Sequence, residues 1–204
     1  MNLPNKLTII RILFVPIIVI LFYCRNLTGM NAEFFSIPIA NWMMMVIFAI
    51  ASYTDHLDGK LARKNNQITT FGKFADPLAD KILVLAAMLI LVENGAIPAW
   101  IPIITIFREF VVSGYRLVAA EKGGKVIAAN IWGKIKTFTQ MIAILLAFLD
   151  IHHSNILGEF LKGNLTGAAL IINILTTVFF ILSTIATVFS GYQYLKDAKD
   201  LLKD

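Results

Sequence analysis

Four aspartates, Asp55, Asp58, Asp76 and Asp80, fall within 26 residues of a chain that is otherwise mostly apolar. Asp55 and Asp58 are three residues apart, and Asp76 and Asp80 are four apart. Either spacing puts both carboxylates of a pair on one helix face. The segment between the pairs, Lys64 to Phe71, is short and polar. It predicts two antiparallel neighbouring helices, with Pro77 tolerated in the first turn of the second. The two pairs can then face each other, and carboxylates so gathered stay ionised only with a cation. An all-oxygen site suits Mg²⁺, Mn²⁺ or Ca²⁺, and His56, next to Asp55, points away from the pair. Four acids can hold two metals about 4 Å apart, the clamp used for in-line displacement at phosphate.

The plainer alternative is that the acids pair with Lys60, Arg63, Lys73 and Lys81. Gly59 argues against it. A glycine inside a helix costs about 1 kcal/mol relative to alanine, which makes sense where something bulky must approach the backbone.

Those helices lie in a chain of 204 residues, 58% hydrophobic and 15% charged, with mean hydropathy +0.75. Its apolar residues run in continuous blocks, so the chain reads as an integral membrane protein of helices and not as a barrel. No linker, low-complexity run or internal repeat divides residues 1–204, which predicts a single domain. The expected fold class is all-α, a polytopic bundle of six transmembrane helices. The spans are roughly Leu7–Tyr23, Ala40–Ala62, Pro77–Val92, Ala99–Ala119, Ile135–Leu149 and Gly167–Tyr192. The first span carries Arg11 and lacks an Ala-x-Ala cleavage site, so it reads as a retained helix. The lone Cys24 can form no internal disulfide.

Basic residues set the expected orientation. Fourteen lysines and arginines fall in loops and span ends on the side of the N-terminus, against Arg25 and Lys162 opposite. Both termini and the aspartates are therefore expected on the cytoplasmic side. The net charge of +5 reads as topology and attraction to anionic headgroups, with no nucleic-acid partner.

The acidic segment reads Asp55-x-x-Asp58-Gly59-x-x-Ala62-Arg63, eight residues, then Gly72-x-x-x-Asp76-x-x-x-Asp80. It resembles, at every position, the signature of the CDP-alcohol phosphatidyltransferases. The resemblance implies a cytoplasmic-side site with two divalent cations, Mg²⁺ or Mn²⁺, and a homodimer in the bacterial cytoplasmic membrane. It also implies attack of an alcohol on a CDP-linked lipid, with CMP leaving. By the same resemblance Asp55, Asp58, Asp76 and Asp80 are metal ligands, and Asp80 is also the catalytic proton acceptor. Gly59, Ala62, Arg63, Thr69 and Gly72 would line the CDP-lipid site. Thr69 has an alternative role as a helix cap.

The opening stretch "MNLPNKLTIIRI" and the stretch from Arg108 to Met141 resemble the branch of that family that uses CDP-diacylglycerol and sn-glycerol 3-phosphate. Asn5 and Thr8 would then line the cytidine pocket; alternatively they cap the first helix. An anionic acceptor also fits the residues themselves. Arg108 lies well inside the fourth span, where an ionisable side chain is a functional candidate. Arg116 lies two turns along the same face, and a guanidinium fork suits phosphate. Lys134 and Lys136 can add charge to the same cavity. The alternatives are a structural pair between Arg108 and Glu109, and ordinary snorkelling of the two lysines. His152 and His153, near Asp150, read as loop residues far from the chemistry. A divalent-cation transporter would put acids near the midplane of repeated halves, and this chain does neither. Within the family, acceptors such as inositol phosphate, serine or phosphatidylglycerol remain as alternatives.

Overall fold

The computed structural model describes residues 3–25, 33–34, 37–64, 70–121, 131–150 and 167–201, with backbone alone for 3–4, 33, 55–64, 70–71, 73–74, 117, 119–121 and 197–201. Within these residues lie six long helices: α1 Leu3–Cys24, α2 Ile39–Lys64, α3 Thr70–Glu93, α4 Trp100–Glu121, α5 Ile131–Leu149 and α6 Gly167–Leu201. A two-residue hairpin, β1 Glu33–Phe34 with β2 Ile37–Pro38, precedes α2. No feature of the sequence reading anticipated it.

Contacts along the helices give their directions. Thr8 of α1 meets Asp76 of α3, while Tyr23 and Arg25, at the other end of α1, bond Glu93 and Asn94 beyond it. So α1 and α3 run parallel. Asn41, at the start of α2, bonds the carbonyl of Phe148 at the end of α5. Lys81 of α3 bonds Ser113 of α4. Arg108 and Arg116 of α4 meet Ser190 and Tyr194 of α6 in the same order. Asn173 near the start of α6 bonds Asp150, just past α5. The helices therefore alternate in direction, and one end of the bundle collects Asn5, Thr8, Asp76, Asp80, Arg116 and Lys136.

The interior holds the polar groups and the exterior the apolar ones. Thr8, Arg11 and Thr187 are wholly buried, while Phe110 is 74% exposed and Phe138 66%. That pattern suits lipid as the outer solvent, because a polar side chain facing hydrocarbon lacks partners. Where helices meet, small residues such as Ala51, Ala87 and Ala143 are buried completely and let the backbones approach closely. Phe48, Phe148, Met44 and Leu83 fill the space between them.

Among the described residues three helices, α1, α5 and α6, are long and apolar enough to cross a membrane. The other three carry more charge, because the acids and Arg108, Glu109 and Arg116 lie on them. The expected element boundaries need one correction of substance. Pro77 was expected in a first turn, but α3 begins at Thr70 and encloses it. The helix continues past the apolar span into the polar segment. Pro77 has no N–H for the carbonyl four residues back, so the backbone bond to residue 73 is missing beside Asp76. The other end of α3 is closed by Gly95, with φ of 75°, and an Ala96 N–H to Leu91 carbonyl bond of 2.8 Å. That is the left-handed cap for which glycine is suited.

Candidate active site

Helix α1 ties the two acidic helices together. Thr8 Oγ1 donates to Asp76 Oδ1 at 2.5 Å. One turn further along, Arg11 Nε donates to the carbonyl of Ala51 on α2 at 3.3 Å. Since α2 runs antiparallel to α1, the turn after Ala51, which carries Asp55, comes level with Thr8 and Asp76. The structure thus brings the Asp55 turn of α2 and the Asp76 turn of α3 to the same depth. The side chains of Asp55, Asp58, Ala62 and Arg63, and all of Thr69, lie outside the described residues, as does Gly59 apart from its helical backbone. Among the described residues no three His, Cys, Asp or Glu side chains gather as a metal site. Gly72 is buried within α3.

Asn5 and Thr8 are both buried inside α1, with Asn5 in its first turn and Thr8 in its second. Thr8 is therefore no cap. Its hydroxyl donates to Asp76.

Asp80, one turn after Asp76, opens on a cavity of about 420 Å³ between α3, α4 and α5. Lys81, Arg108, Glu109, Ser113 and Lys136 line it at the polar end, and Leu85, Met88 and Ile106 are among the apolar lining. Three cations converge on the Glu109 carboxylate. Lys136 Nζ donates to Oε1 at 2.7 Å, Arg108 Nη1 donates to the same oxygen at 2.8 Å, and Lys81 Nζ lies 3.6 Å from Oε2. Helix α6 supports the arginine from behind. Arg108 Nη2 donates to Ser190 Oγ, and its guanidinium carbon lies 5.7 Å from the Tyr194 ring centre, within cation–π range. Gly191 lies alongside it, where a Cβ would make only an ordinary contact, 3.4 Å from Arg108 Cγ. Among the described residues Arg108 Nε is buried without a hydrogen-bond partner.

The remaining basic residues separate. Lys136 is only 6% exposed and turned inward, so snorkelling does not describe it. Lys134, two residues earlier, is exposed. Arg116 is exposed and reaches Tyr194, with Nη2 3.2 Å from the hydroxyl, outside the lining of the cavity. The sequence reading treated Glu109 only as a structural partner of Arg108 and gave Lys81, Ser113, Ser190 and Tyr194 no place around these two residues. Glu109 was recoverable in principle, because an acid inside a membrane helix is a candidate in its own right. The others were not, since nothing local marks which helix they face.

Residues 1–189 match the family described as CDP-alcohol phosphatidyltransferase. The chain belongs to this family. Relatives are similar over nearly their whole length. The chain is 44% identical to the CDP-diacylglycerol–glycerol-3-phosphate 3-phosphatidyltransferase of Bacillus subtilis over 203 residues, covering 99% of this chain and 97% of that one. It is 37% identical to the enzyme of the same name from Haemophilus influenzae, with 100% and 96% covered. With that of Rickettsia bellii it shares 33% over 198 residues, covering 97% and 96%. The phosphatidyltransferase signature thus lies on α2 and α3, with Asp76 turned to α1 and Asp80 to the cavity.

Proposed function

We propose that this phosphatidyltransferase moves the phosphatidyl group of CDP-diacylglycerol onto sn-glycerol 3-phosphate, giving phosphatidylglycerol phosphate and CMP. The relatives' names supply both substrates. The observation that carries the reading to this chain is the cavity, in which Asp80 shares a wall with Lys81, Arg108 and Lys136. A cationic pocket suits a phosphate-bearing acceptor better than a neutral one such as serine.

Asp80 takes the proton of the acceptor hydroxyl. The oxygen attacks the lipid-side phosphorus, a new O–P bond forms, and the bond from that phosphorus to the bridging oxygen breaks. CMP leaves with that oxygen. The cations of the cavity hold the acceptor phosphate in place, which removes much of the entropy cost of bringing the two substrates together. By family resemblance, Asn5, Thr8, Gly59, Ala62, Arg63, Thr69 and Gly72 face the CDP-lipid.

The donor set fits hard divalent cations, because the signature offers carboxylate oxygens alone and the Thr8 hydroxyl orients Asp76 from outside. Asp55, Asp58, Asp76 and Asp80 would hold two ions, Mg²⁺ or Mn²⁺. When bound, these would neutralise the charge of the pyrophosphate and favour departure of CMP.

All six helices cross the membrane in this reading, with both termini and the acids on the cytoplasmic side of the bacterial cell membrane, where the basic residues collect. The active form is a homodimer, as the family resemblance implies. One assay tests the function: purified protein, CDP-diacylglycerol, a panel of acceptor alcohols and detection of CMP. CMP release with glycerol 3-phosphate, abolished by EDTA and restored by Mg²⁺ or Mn²⁺, is expected. Release with serine or inositol phosphate instead overturns the acceptor, and full turnover in metal-free EDTA overturns the metals.

A further inference from the structure

We propose that Glu109 is the positioning residue of the acceptor pocket: its carboxylate gathers Lys81, Arg108 and Lys136, from three different helices, into one cationic patch beside Asp80. The inference rests on the acceptor reading above and deepens it.

Three cations within 4 Å of one carboxylate are unusual in a lipid-bounded cavity, where each charge is expensive to bury. Arg108 has other supports in Ser190 and the Tyr194 ring. Lys81 has Ser113, with Nζ 2.5 Å from Oγ. The side chain of Lys136, only 8% exposed, has its ion pair with Glu109. Glu109 is therefore the group that holds that ammonium turned into the cavity.

Three cations less the Glu109 carboxylate leave the patch two positive charges, and Asp80 on the same wall lowers the surplus of the cavity to one. A phosphate monoester anion is drawn to that surplus. A lysine offers three N–H donors, and Glu109 engages one of those on Lys136. The carboxylate thus organises the patch without consuming it.

Replacing Glu109 by glutamine has two opposing effects. It removes a negative charge, which favours an anion, and it strands a buried ammonium, which drives Lys136 to lose its proton or swing outward. The second effect is the larger, because breaking one half of a buried pair costs more than a single added charge contributes across the cavity.

The test is steady-state kinetics on the detergent-solubilised full chain, varying each substrate in turn, with inorganic phosphate as a competing probe. Glu109→Gln should raise the KM for glycerol 3-phosphate about tenfold or more and weaken inhibition by phosphate in parallel. The KM for CDP-diacylglycerol should stay within about twofold, as expected for a site built on other helices. Glu109→Asp, which keeps the charge but shortens its reach, should lie between. In a Lys136→Met background, Glu109→Gln should change the acceptor KM far less, because the group it holds is gone. An unchanged acceptor KM in Glu109→Gln, equal losses for both substrates, or full additivity with Lys136→Met overturns the inference. If Glu109→Gln does not fold, the Glu109→Asp value decides: a rise of threefold or more supports it and no rise overturns it. Wild-type protein that shows no turnover with glycerol 3-phosphate would instead overturn the acceptor reading itself.

Discussion

The Thr8 hydroxyl donates to the Asp76 carboxylate across 68 residues of sequence, joining the second turn of α1 to the acidic face of α3. A donated hydrogen bond fixes which carboxylate oxygen points where, and it leaves the other oxygen to be aimed by the helix. Partners of this outer kind commonly alter metal affinity by about 10- to 100-fold when removed.

Thr8→Val should therefore raise the Mg²⁺ concentration for half-maximal activity about tenfold or more, while Thr8→Ser, which restores the hydroxyl, stays near wild type. Titrating Mg²⁺ in the CMP-release assay checks this. Equal curves for Val and Ser would mean that the hydroxyl has no part in orienting Asp76.

Asp80 faces the cavity, whereas Asp76 is held against α1. Asp80→Asn should lower turnover by about 100- to 10,000-fold, the range associated with loss of a general base. Binding of CDP-diacylglycerol should largely survive, because one oxygen ligand remains. A filter-binding measurement beside the kinetics separates the two. Turnover near wild type would remove Asp80 as proton acceptor.

Arg108 and Arg116 share the ring of Tyr194, at 5.7 and 5.8 Å, but only Arg108 lines the cavity. Arg108→Lys should raise the acceptor KM by about ten- to 150-fold, the equivalent of about 1.5–3 kcal/mol for a lost charge-assisted contact. Arg116→Lys, which weakens a part-buried hydrogen bond to Tyr194, should cost about 1 kcal/mol, roughly fivefold. Apparent KM values for both substrates in each variant provide the comparison. Equal acceptor losses would mean that both guanidinium groups reach the phosphate.

Membrane orientation is tested by labelling. In a Cys24→Ser background, Asn66→Cys should react with an impermeant maleimide only from the cytoplasmic side, and Asn155→Cys only from the other. Reaction of both from one side would require a different number of crossings.

The sequence by itself determined the spacing of the four aspartates and the helices that carry them. Spacing of three and four puts Asp55 with Asp58 and Asp76 with Asp80 on helix faces whatever the rest of the chain does, because the α-helix repeats every 3.6 residues. Apolar block length marked six helices, since a bilayer sets how much chain must be apolar. The collection of lysines and arginines toward one end was equally readable. Helix ends were read less well where an element outruns its apolar block, as at Thr70, seven residues before Pro77.

Only the tertiary structure decided which way each helix is turned about its own axis. Lys134 and Lys136 are chemically alike and two residues apart, yet one is exposed and the other holds Glu109. Residues two apart on a helix point about 200° away from each other, so the choice belongs to the packing of α5 against α2, α3 and α6. The same holds for Thr8 with Asp76 and for Tyr194 with the two arginines. Those pairs join distant segments, and the energy that selects them is shared among many small contacts between helices, none of which is written in any local stretch of the chain.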